Sequence, residues 1–229
     1  MGNYLSAEER AAVRSKVLHA AAILFLEKGY AQSTTREIAD KAGINVSAMN
    51  RHFRSKENIL CELVSFVLGG QFGATHKLID PKTEDKLLYY AAETTLQLYM
   101  AESYEAVREL YAVAYSMPRS SELIRQAVTE QLVMNTFQEY HPDYTAKDFY
   151  ELEIASGGII RGYMMVKCDD NFTMEQKVRR FLQTALRIYE IPEERICEAL
   201  EFVKQFDYPL VAQKTIESMF QYLEQNKEL

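Results

Sequence analysis

Three cysteines in 229 residues, Cys61, Cys168 and Cys197, are odd in number and far apart, and they form no C-x-x-C pair. They frame neither a disulfide network nor a zinc site, so a reduced, cytoplasmic setting is expected. No stretch approaches the roughly 18 uncharged apolar residues of a membrane span. Glu8, Glu9 and Arg10 stand where a secretory signal would need an apolar run, so no membrane partner is expected. Catalytic signatures are missing too: there is no Gly-rich phosphate loop, H-E-x-x-H, nucleophile elbow or pair of E-x-x-H motifs. The chain is therefore expected not to be an enzyme and to carry no cofactor. His141 with Asp143, and Asp169 with Asp170, are metal-binding by type, but each sits at a helix junction where capping and turn formation account for them, and no metal is expected. Alternating strand patterns, low-complexity tracts and internal repeats are likewise absent, which points to an all-α fold.

A net charge of -7 argues against a nucleic-acid partner until its distribution is examined. Residues 1–56 hold nine Lys or Arg against five acids, a balance of +4, and the remainder holds seventeen against twenty-eight, a balance of -11. A basic head on an acidic body offsets phosphate charge where it is needed and discourages adhesion elsewhere.

The stretch TTREIADKAGINVSAMNRHFRSK, residues 34–56, carries the sharpest local signals. Thr34 and Glu37 make a capping box for a helix over Thr35 to Ala42, and Gly43 ends it in the left-handed region. Asn45 caps a second helix through Val46 to about Phe53. Ile38, Ala39, Ile44, Met49 and Phe53 supply its core, while Arg36, Ser47, Asn50, Arg51 and His52 point outward, as in a helix-turn-helix. Ser6 and Glu9 cap a preceding helix to Lys28, stopped by Gly29, whose stripe Val13, Val17, Ala21, Leu24 and Phe25 closes the head. Arg10 and Arg14 lie one turn apart on it, read as a solvated face. Ser55 caps a fourth helix, whose first-turn N–H groups form an anion site.

The threonine-capped R-E-I-A-x-x-A-G turn (Arg36 to Ala39, Ala42, Gly43), the pair His52-Phe53 and the run Ser55 to Glu57 together resemble the TetR family of one-component transcriptional regulators. The resemblance covers about the first 60 residues. It implies a three-helix DNA-binding head, a divergent helical ligand domain and a homodimer built through a four-helix interface. The family's usual phosphate-binding tyrosine, two residues before the His-Phe pair, is Asn50 here.

Beyond the head the pattern stays helical. The fourth helix, with Ile59, Leu60, Leu63 and Val67, runs towards Gly69 and Gly70, where a bend or fraying is expected, and it links head to body mechanically. Seven more helices are expected. They start at Asp80-Pro81, Ser103, Ser120, Thr145, Thr173, Pro192 and Pro209, with breaks at Pro118 and His141-Pro142. In the helix from Thr145, Leu152, Ala155, Ile159, Tyr163 and Val166 make a core stripe, and Ile154, Gly158 and Met165 a second one. With Phe181 and Ala185 from the next helix, these are the candidate dimer interface. The competing reading buries the Thr145 helix within one chain. Tyrosines and methionines of the body, above all Tyr99, Tyr104, Tyr111, Tyr115, Met134 and Met164, are candidates to line a large, mostly apolar ligand pocket. Any one of them also fits an ordinary core or surface.

The expected architecture is an all-α chain with residues 1–56 as DNA-binding head and 57–229 as ligand-binding and dimerisation domain. The expected function is a ligand-responsive regulator, a repressor that binds palindromic double-stranded DNA as a homodimer and is released by a small, largely apolar effector. Candidate DNA contacts are Asn45, Ser47, Asn50 and Arg51 at bases or phosphates, with Thr35, Arg36, His52 and Lys56 anchoring the backbone. The sign of the ligand effect stays open. Two rivals remain: a helical small-molecule-binding protein or enzyme without DNA binding, and a DNA-binding regulator whose body binds a protein.

Overall fold

Local capping chemistry starts the helices. In the computed structural model, which describes residues 6–79 and 83–226, the Glu9 N–H donates to Ser6 Oγ at 3.1 Å and Glu9 Oε2 accepts from the Ser6 N–H at 2.6 Å. This box opens α1 (Ala7–Lys28), and Gly29, at φ +83°, closes it. The Thr34–Glu37 box opens α2 (Thr35–Lys41), and the side chain of Asn45 caps α3 (Val46–His52). Between them Gly43 adopts φ +67°, a conformation that costs an L side chain roughly 1–2 kcal/mol. Gly43→Ala should therefore lower stability by about that amount in urea unfolding, without a change of fold.

Ser55 Oγ accepts from the Asn58 N–H at 3.1 Å and starts α4 (Lys56–Ile79). This helix is continuous through Gly69 and Gly70, so the fraying weighed for them does not occur. Gly70 serves packing: a Cβ there would overlap the terminal methyl of Met219, which lies against the helix. Asp80 and Pro81, expected to open the next helix, lie outside the described residues. The described helix α5 (Lys86–Ser103) is capped by Asp85, whose Oδ1 accepts from the N–H groups of Leu87 and Leu88. Then come α6 (Glu105–Ala114) and α7 (Pro118–Val128), with proline at the first helical position. A π-turn, Thr129–Val133, joins α7 to α8 (Met134–Phe137) without leaving the helical region of backbone space. The chain finishes with α9 (Ala146–Met165), α10 (Met174–Ile188), α11 (Glu193–Val203) and α12 (Tyr208–Asn226). The described residues are helical with no strand, and none of their helices is long and apolar enough to cross a membrane.

Helix α5 is the axis of the body, buried at nearly every position from Tyr90 to Ala101 and packed by α4, α6, α9, α11 and α12. A second core joins the head helices to α4: Val17, Ala21, Phe25, Ile38, Met49 and Phe53 pack with Ile59, Leu60 and Leu63. Ala114, Ile124 and Leu223 extend the same cluster into the body. Head and body thus share a continuous apolar seam along α4 and α1.

Two expectations for α9 and α10 need correction. The most buried face of α9 is Phe149, Glu153, Ser156, Gly157, Ile160 and Met164; of the expected stripe, Leu152, Ile159 and Tyr163 are partly buried against the body core, and Ala155 and Val166 are exposed. Phe181 and Ala185 of α10 are buried within the chain at 1% and 0% exposure, so they are not available to a partner. The reason is the one-sided pattern of α10: its apolar face is fully used against its own body, and Arg179, Arg180, Thr184 and Arg187 are left outside.

Candidate nucleic-acid interface and effector cavity

The phase of α2 and α3 is set by what they bury. Ile38, Ala39, Met49 and Phe53 turn inward, and that leaves Arg36, Asn45, Ser47, Asn50 and Arg51 exposed, with Thr35, His52 and Lys56 half-buried. All eight candidate contact residues lie on the helix-turn-helix or at the adjoining α4 start. Asn45 is partly committed, because its Oδ1 accepts from the Ala48 N–H at 2.7 Å. Lys56 is committed further: its ammonium donates to the carbonyls of Tyr30 and Ser33, each at 2.8 Å, and lies 4.2 Å from the centre of the Tyr30 ring. Burial lowers its pKa. Two of its three donors thus hold the turn before α2, which makes Lys56 a brace of the head.

Positive charge converges on the end of α3. The imidazole of His52 is held below its ordinary pKa by burial first and then by the guanidinium groups of Arg14, Arg51 and Arg10. Arg14, expected to be a solvated residue, pairs with Glu62 of α4 and lies over the Phe53 ring. Arg54, exposed just after α3, was not among the candidates; its place between the helix end and the Ser55 cap was the available signal.

The body holds an apolar cavity of about 100 Å³. It is bounded by Ala22 and Leu26 of α1, Leu60 to Leu68 along α4, and Tyr111, Ala114 and Tyr115 at α6, with Met100, Ile124, Met219 and Phe220 completing the walls. Of the expected pocket residues, Tyr111 and Tyr115 line it. Tyr99 stacks on Tyr208 with ring centres 5.4 Å apart, Tyr104 is exposed, and Met134 and Met164 belong to the body's packing. The cavity is apolar as expected but small. Its polar groups bond among themselves: the Tyr111 hydroxyl donates to Gln71 Oε1 at 3.0 Å, and Gln97 Nε2 donates to the Tyr115 hydroxyl at 2.9 Å.

Behind this wall two carboxyl groups are buried. Glu93 is bonded by Gln71, and Glu153 accepts from Ser156 Oγ at 2.8 Å and the Tyr189 hydroxyl at 3.1 Å. Burial raises both pKa values to about 7. His141, weighed as a metal ligand by type, has its Nε2 2.7 Å from the Tyr189 carbonyl and stacks on Tyr144, while Asp169 accepts from the N–H groups of Asn171 and Phe172. Both have turn-forming roles.

Opposite the body core, α9 presents Ile154, Gly158, Gly162 and Met165, followed by Val166, all exposed. Ile154 is 54% and Val166 52% exposed. The residues recur at helical spacing on one face, and a Cβ at Gly158 or Gly162 would meet nothing within 4 Å. Gly162 and Val166 extend the face beyond the residues expected to form it.

Residues 17–63 match the family model for bacterial regulatory proteins of the tetR family. The HTH-type transcriptional repressor KstR2 of Rhodococcus jostii (strain RHA1) is 33% identical over 94 residues, 41% of this chain and 43% of that protein. KstR2 of Mycobacterium tuberculosis (strain H37Rv) is 35% identical over 99 residues, 43% of this chain and 46% of that protein. The chain therefore spans less than half the length of these curated relatives. Among solved structures, RolR in complex with resorcinol superposes with a TM-score of 0.63 at 15% identity, covering 86% of this chain and 96% of that one. SmeT, the repressor of a Stenotrophomonas maltophilia multidrug efflux pump, gives 0.53 at 16% identity over 76% and 88%. These likenesses show the shared fold.

Proposed function

Residues 17–63 match the tetR family model, and from that premise we propose that the chain is a TetR-family, ligand-responsive repressor: a homodimer that reads a palindromic operator and is released by a small, largely apolar effector. Residues 1–56 act as the reading head and 57–229 as the effector and dimerisation body, with α4 belonging mechanically to both. The carrying observation is the outward set on α2 and α3, which coincides with the convergence of arginines on His52. In this reading α3 enters the major groove, where Ser47, Asn50 and Arg51 meet base edges or phosphates and the free amide of Asn45 adds a donor. Thr35, Arg36, His52 and the first turn of α4 hold the backbone, and Lys56 keeps the turn before α2 in place. Two heads on a two-fold axis meet successive grooves roughly 35 Å apart, or a multiple of that. An effector that favours another head spacing releases the DNA.

Selection of binding sites from random duplexes, followed by titration at several salt concentrations, tests this. The expected outcome is a palindrome with a steep negative salt dependence, about -0.9 in log K per log salt for each phosphate neutralised. Arg36→Ala should weaken every duplex alike and reduce that slope by about one, whereas Arg51→Ala, if it reads a base, should cost about 1–3 kcal/mol at one operator position. Unselective binding, or equal affinity of both variants for all duplexes, would refute the assignment.

A further inference from the structure

We infer that this chain takes up protons as it binds its operator, and that His52 is the residue that takes them, so that acidification tightens the hold on DNA. The inference rests on the regulator reading above and adds to it a regulating ion and the place where that ion acts. His52 ends α3, half-buried, where Arg14 of α1 lies over Phe53 and pairs with Glu62 of α4. The charged groups that act on its imidazole are Arg14 and Arg10 of α1, Arg51 beside it on α3 and Glu62 of α4, three cations against one anion. That anion is already engaged by Arg14. On α2, which also packs against α3, Glu37 pairs with Lys28 and Lys41 with Glu27, and Arg36 and Asp40 are exposed. No group among the described residues bonds the ring nitrogens of His52.

The corner is built for an anion. In the free protein burial, and after it the three guanidinium groups, hold the imidazole below its ordinary 6.5, so near neutral pH it is mostly uncharged. A backbone phosphate docked here reverses the balance. Its charge offsets the guanidinium groups, and its oxygen accepts a hydrogen bond that an imidazolium donates more strongly than an imidazole. The bound state therefore keeps a proton at a pH where the free state has lost it. By linkage, affinity rises as pH falls from the bound value to the free one. It is level above that window, where neither state is charged, and level below it, where both are. An arginine or lysine in this place would hold the phosphate without any such response, because its charge does not change near neutral pH.

The test uses the full chain and the selected duplex. Calorimetry at pH 6.5 in two buffers of different ionisation enthalpy should show an uptake of about half a proton or more per chain, and affinity should be at least about tenfold higher at pH 6 than at pH 8. His52→Gln keeps a donor but cannot titrate. It should bind without the uptake and differ by less than about threefold between the two pH values. Glu93 and Glu153 titrate in the same range within the body, and the difference between parent and variant separates His52 from them. A second measurement does not depend on how the variant folds: the imidazole resonances of His52, followed by NMR against pH in the parent, should move to a higher midpoint when duplex is added. Duplex binding without proton uptake, uptake that persists in His52→Gln, or a midpoint that duplex leaves unchanged or lowers would each overturn the inference and leave the regulator reading standing. A parent that binds no duplex at either pH overturns both.

Discussion

Replacing Ile154 and Met165 together by glutamate should give a folded chain that no longer dimerises and binds its operator about 100-fold or more weakly. Both side chains are exposed in the single chain, 54% and 36%, so the substitutions remove no internal packing and should change chain stability by less than about 0.5 kcal/mol. The consequence falls on the partner. An apolar stripe along α9, bare of large side chains at Gly158 and Gly162, allows a second α9 to approach closely, and like charges set opposite each other across a two-fold axis prevent it. Loss of the dimer converts a two-headed contact into two independent ones, and the effective concentration that the second head enjoyed is lost. Sedimentation should show the mass of one 26.4 kDa chain for the variant and twice that for the parent. A parent that sediments as a monomer, or a variant that remains a dimer, would place the interface elsewhere.

Much of this architecture was legible because its signals are local. Ser6 with Glu9, Thr34 with Glu37, Thr145 with Asp148 and Thr173 with Gln176 each close a capping box within four residues, and Gly43 marks a left-handed turn by its identity alone. The outward set on α3 followed from the inward set in the same way. What failed depended on partners distant in sequence. The inward face of α9 escapes an apolar pattern because Glu153 lies at its centre, 3% exposed and bonded to Tyr189 just after α10. Phe181 and Ala185 were offered to a partner chain because no local pattern says whether an apolar face meets its own body or another. Gly70 was read as a weakness in α4 when it makes room for Met219, 149 positions later. The tyrosines divided by tertiary position: Tyr111 and Tyr115 reached the cavity, and Tyr104, the extended residue between α5 and α6, did not.

The same buried carboxyl groups make the fold sensitive to pH in a direction opposite to that of most carboxylates. Glu93, on α5, is surrounded by Gln71 of α4 and lies within the field of Glu153. Glu153, on α9, faces Ser156, Tyr189 just after α10 and, more weakly, Arg125 of α7. Burial outweighs these contacts, so each group titrates near 7 in the fold against an ordinary 4.5. Between those values the folded chain holds protons that the unfolded chain has released, and stability therefore falls as pH rises through the window and levels off above it. The contribution is about 3 kcal/mol per group at most, taking roughly 1.4 kcal/mol for each pH interval of one. Other carboxylates act in the opposite sense, Glu102 and Glu122 among them, which makes the comparison with a variant more informative than the pH profile of the parent alone. Glu93→Gln with Glu153→Gln keeps the shape and the accepting oxygens but removes the charge. The double variant should melt close to the parent at pH 5 and on the order of 10 °C above it at pH 8. A gap of equal size at both pH values would mean that the two groups do not titrate in this window, and a variant less stable at pH 8 would mean that ionised carboxylates are what the body is built around.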